Sequence, residues 1–164
     1  MILLLVAGYG IACWKWGAWR RWRDFYSTIL YVIIGDLAYQ FAFNDFRLWT
    51  YTGLLGHIYT AFIIMFLVFP SAVILYLGHF PSGFFKRVLY ITVWAMGNTL
   101  IEKFACMTKG LRYEHGWSIL SSFALFVIAF LLIRLHVKKP LLTWLLSLAC
   151  GVACTIIFAL PPHS

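Results

Sequence analysis

Six stretches of the chain are apolar over most of their length, and several are apolar on every side. Residues 61–69 and 123–133 show neither the two-residue alternation of a half-buried strand nor a polar face recurring at helical spacing. A segment apolar all round is surrounded by lipid or by other such segments. In lipid the backbone N–H and C=O groups must be paired within a helix or across a closed barrel, and barrel strands alternate. The pattern therefore predicts helices over about Ile2–Trp14, Phe25–Phe43, His57–Leu77, Val88–Met107, Trp117–Leu135 and Leu141–Leu160. A span needs roughly 20 residues, so the first is short. It has no basic leading segment and no small-residue cleavage site, and is expected to be an uncleaved helix rather than a signal peptide. The expected fold is all-α: a polytopic membrane helix bundle of about six transmembrane helices, with residues 1–164 forming a single domain. Pro70 falls inside the third helix, where it removes a backbone donor and predicts a kink; Ser71 beside it offers a hydroxyl to the freed backbone.

Composition agrees with this pattern. Hydrophobic residues make up 63% of the chain and charged residues 11%, against roughly 25% charged in a soluble domain. So little polar surface would not cover a soluble fold. Aromatic residues reach 20%. Many stand at the ends of the apolar runs, including Trp14, Trp16, Trp19, Trp22, Trp49, Tyr51, Tyr90, Tyr113, Trp117 and Trp144, as amphipathic rings do at a membrane interface.

The net charge of +8 does not point to nucleic acid, because the basic residues lie in short connections between apolar runs. Lys15, Arg20, Arg21, Arg23, Lys86, Arg87, Arg134, Lys138 and Lys139, nine residues, fall on the first, third and fifth connections. Arg47, Lys103, Lys109 and Arg112, four residues, fall on the second and fourth. The positive-inside rule then places the first set in the cytoplasm and both termini outside. Arg20, Arg21, Arg23, Lys138 and Lys139 are expected to contact anionic lipid.

Candidate chemistry sits where charge interrupts the apolar runs, since an ionisable group at the bilayer centre costs roughly 2.5–3.5 kcal/mol on insertion scales and needs a partner or a purpose. Asp36 interrupts the second helix and Glu102 the fourth. Helical spacing gives them companions: Asp36, Gln40 and Asn44 form one stripe, and Asn98, Thr99, Glu102 and Cys106 another. His115, Ser118 and Ser122 line up on the fifth segment, and His57 with Thr60 on the third. By the charge-based topology all four stripes occupy the outer half. They are expected to converge on a polar pocket near the outer face, formed by Asp36, Gln40, His57, Asn98, Glu102, Tyr113 and His115. The competing expectation is that both carboxylates are interhelical hydrogen-bonding glue.

No cofactor or metal is expected. His57, His115 and Glu102 form no compact ligand motif, and Cys13, Cys106, Cys150 and Cys154 lack CxxC spacing. Ser121 and Ser122 have no G-x-S-x-G setting, and no phosphate-binding or dinucleotide fingerprint occurs. Ala149, Gly151 and Ala153 are small-residue packing positions on the sixth helix, leaving a homo-oligomer or a membrane-protein partner open.

Several of these segments together resemble a family of small multi-pass membrane proteins of endospore-forming Gram-positive bacteria, a family without an assigned function. The resemblance runs from about Trp19 to Trp144. It is carried by Trp19-Arg20-Arg21-Trp22, Ile34-Gly35-Asp36-Leu37, Leu48-Trp49, Phe69-Pro70 followed by Leu75 through Pro81, Tyr90 with Glu102, Tyr113-Glu114-His115-Gly116-Trp117, and Leu135-His136 followed by Lys138-Lys139-Pro140. Tyr113-Glu114-His115-Gly116-Trp117 is the most specific of these. The resemblance implies a bacterial cell membrane or spore inner membrane, and supplies no reaction, ligand or partner.

Three functions are compatible with the sequence. A non-catalytic membrane scaffold or accessory protein with a polar pocket ranks first. A transporter or channel for protons, cations or a small polar solute follows. Last is an enzyme acting on a lipid-linked substrate through His115, Glu102 and Tyr113.

Overall fold

The structure, a computed structural model, describes residues 2–159. The fold is all-α, as the apolar pattern predicts, with helices α1 (Ile2–Trp16), α2 (Trp22–Ala42, entered through a 3-10 turn over Trp19–Arg21), α3 (Gly56–Gly78), α4 (Phe84–Met107), α5 (Ile119–His136) and α6 (Pro140–Cys154, continued as a π-helical turn over Thr155–Ala159). Expected and observed ends differ by a few residues; the expected end of the sixth helix at Leu160 lies outside the described residues.

Among the described residues four helices are long and apolar enough to cross a membrane: Trp19–Ala42, Gly56–Gly78, Ile119–His136 and Pro140–Phe158. The span count by length and composition is thus four rather than the expected six. Two physical reasons account for the difference. Helix α1 has 15 residues, or about 22 Å at 1.5 Å per residue against a hydrocarbon core of about 30 Å. Helix α4 has length to spare at 24 residues, but Asn98, Thr99, Glu102 and Lys103 dilute its apolar character. These apolar helices, with large aliphatic side chains such as Leu145 and Leu148 turned outward, are those of an integral membrane protein.

The packed centre joins four helices. Phe25 and Ile29 of α2, Val73, Tyr76 and Leu77 of α3, Ile91 and Ala95 of α4, and Phe130 and Ile133 of α5 form one cluster. Tyr76 is fully buried, and its polar groups are matched: its hydroxyl donates to the Phe130 carbonyl at 3.0 Å, and its carbonyl accepts from the Tyr90 hydroxyl at 3.1 Å. Gly78 lets α3 approach the first connection, because a Cβ there would stand 2.7 Å from the Ala18 Cβ.

At Pro70 helix α3 widens into a π-helical turn over Ile64–Val68 just upstream. The extra residue in that turn spaces out the carbonyls that the proline ring would meet. Ser71 Oγ donates to the Leu67 carbonyl at 2.8 Å, the local satisfaction expected of it.

The connections after α2 and α4 contain short strands β1 (Trp49–Tyr51) and β2 (Leu111–Tyr113), an element the sequence reading did not anticipate. They pair antiparallel, with Trp49 opposite Tyr113, Thr50 opposite Arg112 and Tyr51 opposite Leu111. Both connections therefore lie at one end of the bundle, here the strand end. The connections with nine basic residues lie at the opposite, basic end.

Candidate functional site: a polar clasp at the strand end

Glu102 stands in the last turns of α4, directly beneath β2. Its Oε1 accepts the Tyr113 hydroxyl at 2.7 Å and also accepts Ser122 Oγ from the start of α5. The Ser122 oxygen in turn accepts the Trp117 indole N–H at 2.8 Å. Trp117 and Ser122 are both buried. One carboxylate thus gathers α4, β2 and α5. Cys106, one helical turn after Glu102, lies against the Tyr113 hydroxyl.

A second group forms on α2 and α3. The His57 Nδ1 accepts the Tyr51 backbone N–H at 3.1 Å, so the ring proton belongs on Nε2, which donates to Gln40 Oε1 at 3.0 Å. The Gln40 amide is then turned to hydrogen-bond Asp36 one turn back. This chain connects Asp36 through Gln40 and His57 to the backbone of β1.

The Tyr51 phenol stands close enough to both carboxylates to feel them. Burial first, then the charges of Asp36 and Glu102, push it far above an ordinary tyrosine. Tyr113 is raised in the same direction, by burial first and also by the Glu102 carboxylate that it hydrogen-bonds. Both phenols stay protonated and serve as donors. Glu114, at the surface, is held below the usual carboxylate range by Arg112, which bonds it at 2.8 Å.

Aromatic rings fill the space between the two groups. Trp49 stacks on Tyr39 with centroids 4.4 Å apart and tilts against Trp117 at 5.4 Å. The Tyr39 hydroxyl accepts the Leu48 N–H at 3.2 Å. Phe43, Leu48 and Trp117 form the small core beneath the strands.

The other expected members of the site lie elsewhere. Asn98 faces α1: its Oδ1 accepts the Tyr9 hydroxyl at 2.8 Å. His115 sits in a left-handed turn (φ 51°) ahead of Gly116 (φ 77°), tilted over Phe46, and its Nδ1 donates to the Arg47 carbonyl at 2.8 Å. Asn44, expected to extend the Asp36–Gln40 stripe, lies beyond the end of α2 and bonds Asp45 and Arg47. Ser118 caps α5 by accepting the Ser121 N–H. Of the seven expected residues, Glu102 with Tyr113 and Asp36 with Gln40 and His57 are brought together.

Sequence reasoning left out Tyr51, Trp117 and Ser122 as members of the site. Ser122 was within reach, since it belongs to one of the polar stripes. A further buried group at the basic half was also missed. His136 Nδ1 bonds Thr28 Oγ1 at 3.0 Å and stacks on Tyr31 at 4.4 Å, and the Tyr31 hydroxyl meets Ser147 Oγ at 2.6 Å. It ties α2, α5 and α6. Among the described residues no group of three or more His, Cys, Asp or Glu is arranged to hold a metal.

No protein family, curated protein or solved structure matches the chain.

Proposed function

We propose that the chain is a non-catalytic membrane scaffold or accessory protein whose strand-end polar residues act as a clasp. The observation that carries this reading is Glu102, whose single oxygen joins α4, β2 and α5 through Tyr113 and Ser122. Its neighbours behave alike: His57, Asn98 and His115 each make a hydrogen bond to another segment of the chain. Such bonds between membrane helices average about 0.6 kcal/mol each, so several together fix an arrangement that none would fix alone. The enzyme alternative loses ground, because His115 turns to the Arg47 carbonyl rather than to Glu102 and Tyr113.

The clasp end faces outward and the basic end faces the cytoplasm, supported by nine basic residues against four. The family resemblance supports a bacterial cell membrane or spore inner membrane. Ala149 and Ala153 are exposed on α6, which supports association with a second copy or another membrane protein through a small-residue face.

A second reading has its own support. The ion pairs among the described residues are Arg21–Asp24 and Arg112–Glu114, both partly or largely exposed. Asp36 and Glu102 therefore have no basic partner within ion-pair distance, as in a path for protons or small cations. Ion flux in proteoliposomes across a pH gradient separates the two, comparing wild type with Glu102→Gln after folding and insertion are verified. A clasp gives no flux from either protein. A leak that the substitution abolishes would put transport first.

A further inference from the structure

An open cavity of about 270 Å³ lies against α4 at the basic end, lined by Pro81, Lys86, Leu89, Tyr90 and Val93. Lys86, Tyr90, Val93 and Gly97 recur at intervals of three and four residues and so share one face of the helix. At Gly97 a Cβ would meet nothing within 4 Å, so the face stays open for about 16 Å, at 1.5 Å per residue, from Lys86 toward the middle of the bundle. Leu89 and Val93 are exposed along it.

The charges around this groove are unequal. Arg87 donates to the Pro81 carbonyl at 3.3 Å, and Arg134 lies over the Phe80 ring at 4.5 Å. Lys86 has no protein partner among the described residues. Its ammonium therefore stands free at the mouth of an apolar trough. The trough is smaller than the roughly 300–1,000 Å³ of a pocket enclosing a whole small molecule, and suits a length of chain rather than a compact ligand.

We infer that this groove is a binding site for one anionic glycerophospholipid, its phosphate on Lys86 and one acyl chain along Leu89, Val93 and Gly97. Charge complementarity selects the occupant: a free cation above apolar side chains matches a phosphate above a hydrocarbon tail, and the groove opens at the end where basic residues gather. The site rests on membrane insertion alone and is independent of whether the strand end is a clasp or an ion path.

The test is native mass spectrometry of the purified full chain equilibrated with equimolar phosphatidylglycerol and phosphatidylcholine. Wild type is expected to retain phosphatidylglycerol preferentially. Lys86→Gln lowers that preference about fivefold, the effect of one basic residue at a charged membrane surface. Gly97→Phe lowers retention with the charge intact; its Cβ enters open space, and an unchanged thermal unfolding midpoint checks that the fold is kept. Lys15→Gln, at the same end but outside the groove lining and with its ammonium on the Trp16 ring, leaves retention unchanged. Equal retention of both lipids, an effect of Lys15→Gln as large as that of Lys86→Gln, or unchanged retention in both groove variants would each overturn the proposal.

Discussion

The Tyr113 hydroxyl reaches Glu102 Oε1 at 2.7 Å across the junction between β2 and α4, and Ser122 completes the same acceptor from α5. Removing one donor leaves a partly buried carboxylate with a weaker shell, at about 1–3 kcal/mol for a hydrogen bond to a charged group and nearer 1 between membrane helices. Tyr113→Phe and Ser122→Ala are each expected to lower the unfolding midpoint in detergent. The double variant should fall short of the sum, because both act on one oxygen. Strictly additive losses would show that the two donors do not share Glu102.

His57 is held from both sides, by the Tyr51 N–H on Nδ1 and by Gln40 Oε1 on Nε2. His57→Phe keeps the ring and removes both bonds. Hydrogen exchange at the Tyr51 amide is the direct readout. Exchange should accelerate in the variant, while exchange at the Phe130 and Ile133 amides in the packed centre should be unchanged.

The pairing of β1 with β2 places Thr50 opposite Arg112. Opposed residues in an antiparallel pair have Cα atoms about 4.5–5.5 Å apart, within the span of a disulfide. With the native cysteines replaced, Thr50→Cys together with Arg112→Cys should cross-link on mild oxidation, seen as a disulfide-linked peptide pair by mass spectrometry. Thr50→Cys with Lys138→Cys, which lies at the basic end, should not.

Much of this architecture is legible along the chain, and the limits have physical causes. The helices announce themselves because lipid demands that each be apolar nearly all round, and their ends are marked by charges and by Pro140. Periodicity also shows which face of a helix is polar, as for Asp36 with Gln40. It does not show which neighbour that face meets: Asn98 shares a stripe with Glu102 yet bonds Tyr9 of α1. The strands were hidden for a related reason. Trp49-Thr50-Tyr51 has strand-forming residues, but three residues form no strand without a partner, and the partner lies beyond two helices. His136 was overlooked because at the end of an apolar helix it looks like a solvated residue, whereas Thr28 and Tyr31 enclose it.

Gly78 offers a test of packing at the basic end. A Cβ added there would lie 2.7 Å from the Ala18 Cβ. Gly78→Ala should destabilise by about 1–3 kcal/mol, as overpacking does. Adding Ala18→Gly should recover most of the loss, measured as the midpoint of thermal unfolding.

Orientation can be read by labelling intact cells. A membrane-impermeant maleimide is expected to modify Asn44→Cys, at the exposed strand end, from outside. Lys138→Cys should be modified only after permeabilisation. The reverse pattern would invert the proposed topology.

The strand pairing also imposes an order on biosynthesis. Thr50 emerges 62 residues before Arg112, a wait of about 3–12 s at 5–20 residues per second. During that interval β1 waits at its end of the bundle with its edge groups unpaired, and Glu102 has not yet met Ser122. The clasp closes only when the connection after α4 and the start of α5 have arrived. A ribosome stalled between these segments would leave a half-made bundle with an open strand edge, a form that membrane quality control could distinguish from the finished protein.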